Sequence, residues 1–247
     1  MNGDSTLHER YEAVLARIAA ACAAAGRDPG EVRLLAVSKT FAASRVLELA
    51  ALGQRAFGES YLQEALPKIS ECGHERPESR LEWHFIGPIQ SNKTRHIAEN
   101  FDWVQSVDRE KIARRLSEQR PESAGDLQVC LQVNVSGEST KSGCAPHEAL
   151  ALARAVASMP RLRLRGVMAI PAPTDDPARR RAQCASVRGI HERLCDAGFA
   201  LDTLSMGMSD DLEAAILEGS TMVRVGTALF GVRAPAAEDR PPAPQSP

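Results

Sequence analysis

The feature that most constrains this chain is a strict alternation of short apolar runs with stretches of helical spacing, kept up from residue 33 to residue 231. Runs expected as strands are Arg33–Val37, Ala56–Ser60, Glu82–Gly87, Trp103–Val107, Gln128–Val135, Leu164–Ile170, Thr203–Met208 and Met222–Gly231. Stretches expected as helices lie between them, at about 44–52, 61–71, 91–99, 109–119, 146–158, 177–197 and 210–218. A series of this kind implies parallel strands joined by helical crossovers. Leu34, Leu35, Ala36 and Val37 are apolar at successive positions, as in a strand covered on both faces. Eight such units in roughly 200 residues suit an α/β fold of the closed (β/α)8 TIM barrel type with short loops. The competing open doubly wound sheet needs a glycine-rich first turn. Neither GxGxxG nor GxxxxGK[ST] follows the first strand.

A further helix precedes the first strand. Thr6-Leu7-His8-Glu9 forms a capping-box pattern, and Leu7, Tyr11, Val14, Leu15 and Ile18 recur at helical spacing, so residues 6–25 are expected as an amphipathic helix ended by Gly26 and Pro29. The barrel is expected to fill residues 1–233 as one domain. Residues 234–247 carry Pro235, Pro241, Pro242, Pro244 and Pro247 without apolar periodicity and are expected to be disordered.

Composition narrows the function classes. Lys plus Arg total 30 against 32 Asp plus Glu, a net charge of −2, which argues against nucleic acid or an anionic membrane as partner. The six cysteines form no CxxC pair and have no metal-ligand spacing to histidine, so free thiols in a reducing, cytoplasmic compartment are expected. No leader or membrane span is expected, because the N-terminus is polar and there is no run of 18 apolar residues.

Barrels of this type place their chemistry at the carboxyl ends of the strands. Lys39 ends the first strand, in Ala36-Val37-Ser38-Lys39-Thr40. Burial there would depress its pKa and make the amine a nucleophile toward aldehydes; the plainer reading is a solvated lysine where a strand meets water. Ser205-Met206-Gly207-Met208-Ser209-Asp210-Asp211 and Met222–Thr227 are the ends of the seventh and eighth strands, where barrels bind phosphate. Ser209 is expected at a helix N-cap, and Gly226 and Thr227 offer backbone N–H groups, with Gly226 allowing close approach. Asp210 and Asp211 weigh against an anion. Arg224 shares a strand face with Met222 and Gly226, which points it inward, where it needs a partner: an acid such as Glu59, or a ligand acceptor. An amine, a phosphate cradle and an inward arginine together suit pyridoxal 5′-phosphate (PLP), with its aldehyde on Lys39 as a Schiff base, its phosphate at Ser209, Gly226 and Thr227, and its ring nitrogen at Arg224. An arginine partner leaves that nitrogen unprotonated and the ring a weak electron sink. His84 faces inward or outward with equal odds. Ser91 can cap the helix that follows it, and Lys141 reads as a surface lysine. Tyr11 and Tyr61 are the only tyrosines.

These residues also carry a resemblance. Ala36–Thr40, Phe57–Tyr61, Trp83–Lys93, Val133–Val135 with Lys141–Gly143, Gly166–Met168, Leu204–Asp211 and Val223–Gly231 resemble the pyridoxal phosphate homeostasis proteins, whose barrel is like the N-terminal domain of alanine racemase. The resemblance implies a Schiff base on Lys39, Arg224 at the pyridine nitrogen, phosphate at Ser209, Gly226 and Thr227, and Met206 lining the pocket. Ser60 stands where the family carries Asn near the cofactor ring. The implied role is intracellular vitamin B6 homeostasis as a carrier or reservoir without established turnover, with PLP-dependent apo-enzymes as recipients and no metal. A monomer is expected. The alternative is a PLP-dependent amino-acid racemase, which needs a second base facing Lys39.

Overall fold

The computed structural model describes residues 5–78, 80–136, 138 and 142–231. The apolar runs become β1 (Arg33–Val37), β2 (Ala56–Glu59), β3 (Glu82–Phe85), β4 (Trp103–Val107), β5 (Leu127–Gln132), β6 (Leu162–Met168), β7 (Thr203–Ser205) and β8 (Met222–Val225). All neighbours are parallel and in chain order, and β8 returns to β1 with Arg33 opposite Met222 and Ala36 opposite Val225. The helices are α1 (Leu7–Ala24), α2 (Ala43–Ala51), α3 (Leu62–Glu75), α4 (Thr94–Asn100), α5 (Glu110–Gln119), α6 (Ala149–Ala157), α7 (Pro177–Asp196), α8 (Leu212–Leu217) and α9 (Thr227–Phe230). The expected closed barrel is thus the one found.

Strand parity sorts the core into two layers. Leu35, Ala56 and Met222, with Ile86, and separately Trp103, Cys130 and Met168, fill the barrel interior. The alternate residues Ala36, Phe57, Val104, Leu131 and Val223 face the helices and join Val46, Leu49, Ile97 and Leu116 in the larger core. Burying each such side chain contributes about 1.5–3 kcal/mol.

The capping box of α1 is formed: Thr6 Oγ accepts from the Glu9 N–H at 3.2 Å, and the Glu9 carboxylate accepts from the Thr6 N–H at 2.8 Å. Leu7, Tyr11, Val14 and Ile18 are buried, whereas Leu15 is exposed. This helix packs on α2, α8 and α9. Among the described residues β8 is followed only by the four-residue α9, and α1 packs on α8 and α9 to cover the outside of the barrel there.

Met222–Gly231 does not run on as a single strand. Strand β8 stops at Val225, Gly226 leaves extended geometry at φ −117° and ψ −74°, and Leu229 and Phe230 donate their N–H groups back to the Gly226 carbonyl. The apolar run Ala228-Leu229-Phe230 therefore forms a helical turn. The 234–247 tail and Lys141 lie outside the described residues. Among the described residues, the six cysteines are free, no group of side chains has metal-site geometry, and no helix is long and apolar enough to cross a membrane.

Candidate functional site

The turn that carries Lys39 is pinned from several sides. The Ser38 N–H donates to the Gly58 carbonyl at 3.0 Å, and the Ser38 carbonyl accepts from the Phe41 N–H and from Lys68 Nζ at 2.8 Å. Thr40 sits in left-handed geometry at φ 70°, and its N–H is held by the Glu64 carboxylate at 3.0 Å. For a β-branched residue that conformation costs roughly 1–3 kcal/mol, which the surrounding bonds must offset. The turn presents Lys39 at the strand's carboxyl end. Of the two readings of Lys39, the structure has the exposed one: the chain leaves the sheet at Ser38 and the lysine stands on the rim.

Behind it lies a buried ion pair. Lys68 of α3 meets Glu59 Oε1 at 2.6 Å, with side-chain exposures of 5% and 0%, and Ser38 Oγ donates to the same oxygen at 2.7 Å. Burial raises the Glu59 carboxyl, opposed by the hydrogen bond and charge of Lys68. Glu59 is therefore not the partner of Arg224. Gly58 takes the inward position of β2, and Glu59 faces the helices.

Across the β8–β1 seam, the expected phosphate loops do meet, but not as foreseen. The N-cap residue of α8 is Asp211, not Ser209, and Asp211 takes the Met208 N–H at 2.5 Å. Ser209 Oγ instead accepts from the Ala228 N–H, in the first turn of α9, at 3.3 Å. The N–H groups of Gly226 and Thr227 open that turn and make no hydrogen bond among the described residues. Ser209 is held from outside by Arg17 of α1, which donates to its carbonyl at 2.8 Å and pairs through two nitrogens with Glu213. Phe41, just past Lys39, stacks on Phe230 of α9 with ring centroids 4.8 Å apart. Gly207 is required by the fold: its φ is +94°, and a Cβ there would lie 2.6 Å from the Ala215 Cβ. At Gly226 a Cβ would only reach ordinary contact with Val37 at 3.4 Å, so packing alone does not demand glycine there.

Arg224 faces the barrel interior as expected and is buried. One terminal nitrogen donates to the Ser205 carbonyl at 2.7 Å and to Ser205 Oγ at 2.8 Å, and the other to the Ala169 carbonyl at 2.9 Å. Its Nε makes no hydrogen bond, and no carboxylate bonds the guanidinium, among the described residues. Burial lowers its pKa to about 10, which leaves it charged at neutral pH. His84 is fully buried and inward, stacked on Trp103 with centroids 5.0 Å apart. Gln105 and Ser205, also buried, were not foreseen as site residues. The available signal was a polar side chain at an inward position inside an apolar run.

Ser60 follows β2 at the mouth and is half-buried. Tyr61, next to it, is 52% exposed. Met206 departs from its expected place: it is fully buried within the layer facing the helices, because the preceding Ser205 takes the inward position. Ser91 does not cap α4, which begins after Lys93; its carbonyl accepts from Thr94 and Arg115 instead. A cleft of about 190 Å³ opens at the mouth between Ile86, Pro88, Gln132, Asn134 and Ile170. A larger one, about 480 Å³, is lined by Asp108, Cys144, His147 and Glu148 on the outer face and holds none of the site residues.

Comparison with known proteins agrees with this architecture. Residues 11–234 match the family described as alanine racemase, N-terminal domain. The pyridoxal phosphate homeostasis protein of Pseudomonas aeruginosa is 62% identical over 229 residues, covering 93% of this chain and 96% of that protein. The structure of PipY from Synechococcus elongatus PCC7942 with PLP bound matches with a TM-score of 0.75 at 36% identity, over 87% of this chain and all of that one (100%). Alanine racemase from Corynebacterium glutamicum matches with a TM-score of 0.64 at 20% identity, over 92% of this chain and 62% of that one, a likeness of fold alone. With that identity over nearly its whole length, this chain belongs to the pyridoxal phosphate homeostasis protein family, on the barrel of the alanine racemase N-terminal domain.

Proposed function

We propose that the chain binds PLP in the barrel mouth through a Schiff base on Lys39. It serves as an intracellular carrier or reservoir in PLP homeostasis, with PLP-dependent apo-enzymes as recipients, and it works as a monomer. The observation that carries this reading is Arg224: a buried, charged guanidinium that, among the described residues, has no carboxylate partner and a spare Nε. A neutral pyridine nitrogen satisfies that donor. Ser209, Gly226 and Thr227 hold the phosphate, and Ser60 lies beside the ring. The relative at 36% identity whose structure has PLP bound supports PLP as the ligand.

The carrier role follows from the electronics. PLP supplies an aldehyde and a ring that stabilises carbanions, and an arginine partner keeps the ring nitrogen unprotonated and weakens that sink. Retention is favoured over turnover. The test is to supply purified protein with PLP, record the absorbance, reduce with borohydride and map the modified peptide. A reduced adduct on Lys39, absent in Lys39→Ala, is expected; no adduct, or one elsewhere, refutes the reading. The racemase alternative has one observation in its favour, the exposed Tyr61 beside Ser60. It requires exchange of solvent deuterium into an amino acid's α-position above the rate of free PLP, lost in Tyr61→Phe.

A further inference from the structure

Behind Arg224 the barrel interior holds a continuous chain of hydrogen bonds. Ser205 Oγ, which accepts from Arg224, lies 2.6 Å from Gln105 Oε1. Gln105 Nε2 lies 2.8 Å from His84 Nδ1 and 3.1 Å from the Met222 sulfur. His84 Nε2 lies 2.6 Å from Glu82 Oε1, which Arg33 also meets at 2.8 Å. The links cross from β8 through β7, β4 and β3, from the mouth to the floor of the barrel. Ser205, Gln105 and His84 have no more than trace exposure.

Donor chemistry gives the chain one direction. Arginine only donates, so Ser205 Oγ accepts from it and turns its own proton to Gln105. The Gln105 carbonyl is thereby occupied, and its NH2 group faces two acceptors, the His84 ring and the methionine sulfur. His84 Nδ1 must then be bare, with the proton on Nε2 donated to the Glu82 carboxylate. Full burial lowers the His84 pKa, in keeping with a neutral ring. A second proton on His84 would meet the Gln105 NH2 group and force that amide to turn over. Ser205 Oγ would then receive two N–H groups and its own proton would lose its acceptor. Each member is held in one state by the next, and the ends carry opposite charges.

We propose that Ser205, Gln105 and His84 are positioning residues for Arg224, and that this one-way chain, ending on Glu82, fixes the guanidinium so that its Nε meets the ring nitrogen of bound PLP. This rests on the PLP reading above and adds what determines the ring-nitrogen contact. An aligned chain of this kind strengthens its members mutually.

The experiment compares the affinities of PLP and its deaza analogue, in which C–H replaces the ring nitrogen. Wild-type protein prefers PLP. Ser205→Ala and Glu82→Gln reduce that preference by about tenfold, the worth of one charge-assisted hydrogen bond, while affinity for the analogue is unchanged; Ser205→Thr restores the preference. Equal losses for both ligands would show a merely structural role and overturn the proposal, as would an unchanged preference or a wild type that does not discriminate. A wild type that binds neither ligand overturns the PLP reading itself. In the ligand-free protein, ¹⁵N spectra of His84 should show the neutral ring protonated at Nε2; the other tautomer or an imidazolium at neutral pH refutes the chain's direction.

Discussion

Lys68→Met isolates the buried ion pair behind the Lys39 turn. The substitution keeps most of the side-chain volume but strips Glu59 of its cationic partner at 2.6 Å. The second carboxylate oxygen, Oε2, is already buried without a hydrogen bond among the described residues, and the Ser38 carbonyl loses a donor as well. Removing one member of a buried pair costs roughly 3–5 kcal/mol. For a chain of this size each kcal/mol lowers Tm by about 2–4 °C, so a fall of roughly 6–20 °C is expected in thermal unfolding followed by circular dichroism. The pH dependence has a definite sign. Burial raises the folded-state Glu59 pKa above its unfolded value, more so without Lys68, so the protonated carboxyl suits the fold and the cost appears as pH rises. The deficit of Lys68→Met relative to wild type should shrink on going from neutral to mildly acid pH. A double variant, Lys68→Met with Glu59→Met, should recover most of the loss, falling short by about 1–3 kcal/mol for the Ser38 hydroxyl, which loses its acceptor. A deficit below about 1 kcal/mol, a deficit indifferent to pH, or a double variant no better than the single would refute the reasoning.

Gly207→Ala should cost about 3 kcal/mol in urea unfolding, combining left-handed strain with the 2.6 Å approach to Ala215; a loss below about 1 kcal/mol would contradict that geometry. Arg17→Ala breaks a half-exposed pair with Glu213, so stability should fall by no more than about 1 kcal/mol. The Ser209 loop loses its tether, and amide exchange at Ser209–Asp211 should quicken; unchanged exchange would remove α1 from the site. Native-state alkylation should reach the half-exposed Cys195 before the buried thiols. Burial pushes Cys130 up to about 12 and Cys72, Cys144 and Cys184 to about 11. Mass spectrometry should show early modification elsewhere only after unfolding.

The barrel was legible because parallel strands buried on both faces leave short apolar runs, and Leu34–Val37 or Val129–Leu131 can be little else. The same property hides side-chain direction. His84 shares its parity with Glu82 and Ile86, one charged and one apolar, so only the closed sheet reveals that it faces inward. Helix α9 was misread because four residues are too few to show a helical period, and Ala228, Leu229 and Phe230 continue the apolar character of β8. The role of Ser209 depends on the Ala228 N–H, 19 positions along the chain, a contact that no local pattern encodes. Lys39, Gly226 and Thr227 could be placed at strand ends, and Arg224 inside the barrel, because strand ends and inward arginines are marked in the sequence itself. Whether a lysine there is covered or exposed depends on where the chain leaves the sheet.

The stacking of Phe41 on Phe230 joins the first and last βα units at the point where the sheet closes on itself. Lys39 is near one end of the chain and Thr227 near the other, so their meeting is a late event in the polypeptide's history. A nascent chain that has emerged only as far as β7 has the amine but not the turn proposed to hold the phosphate, so no ligand could yet bridge them. A ligand bound across this seam selects the closed barrel over any opened form and stabilises it according to its free concentration. Abundance of the intact protein would then follow the supply of the molecule it holds.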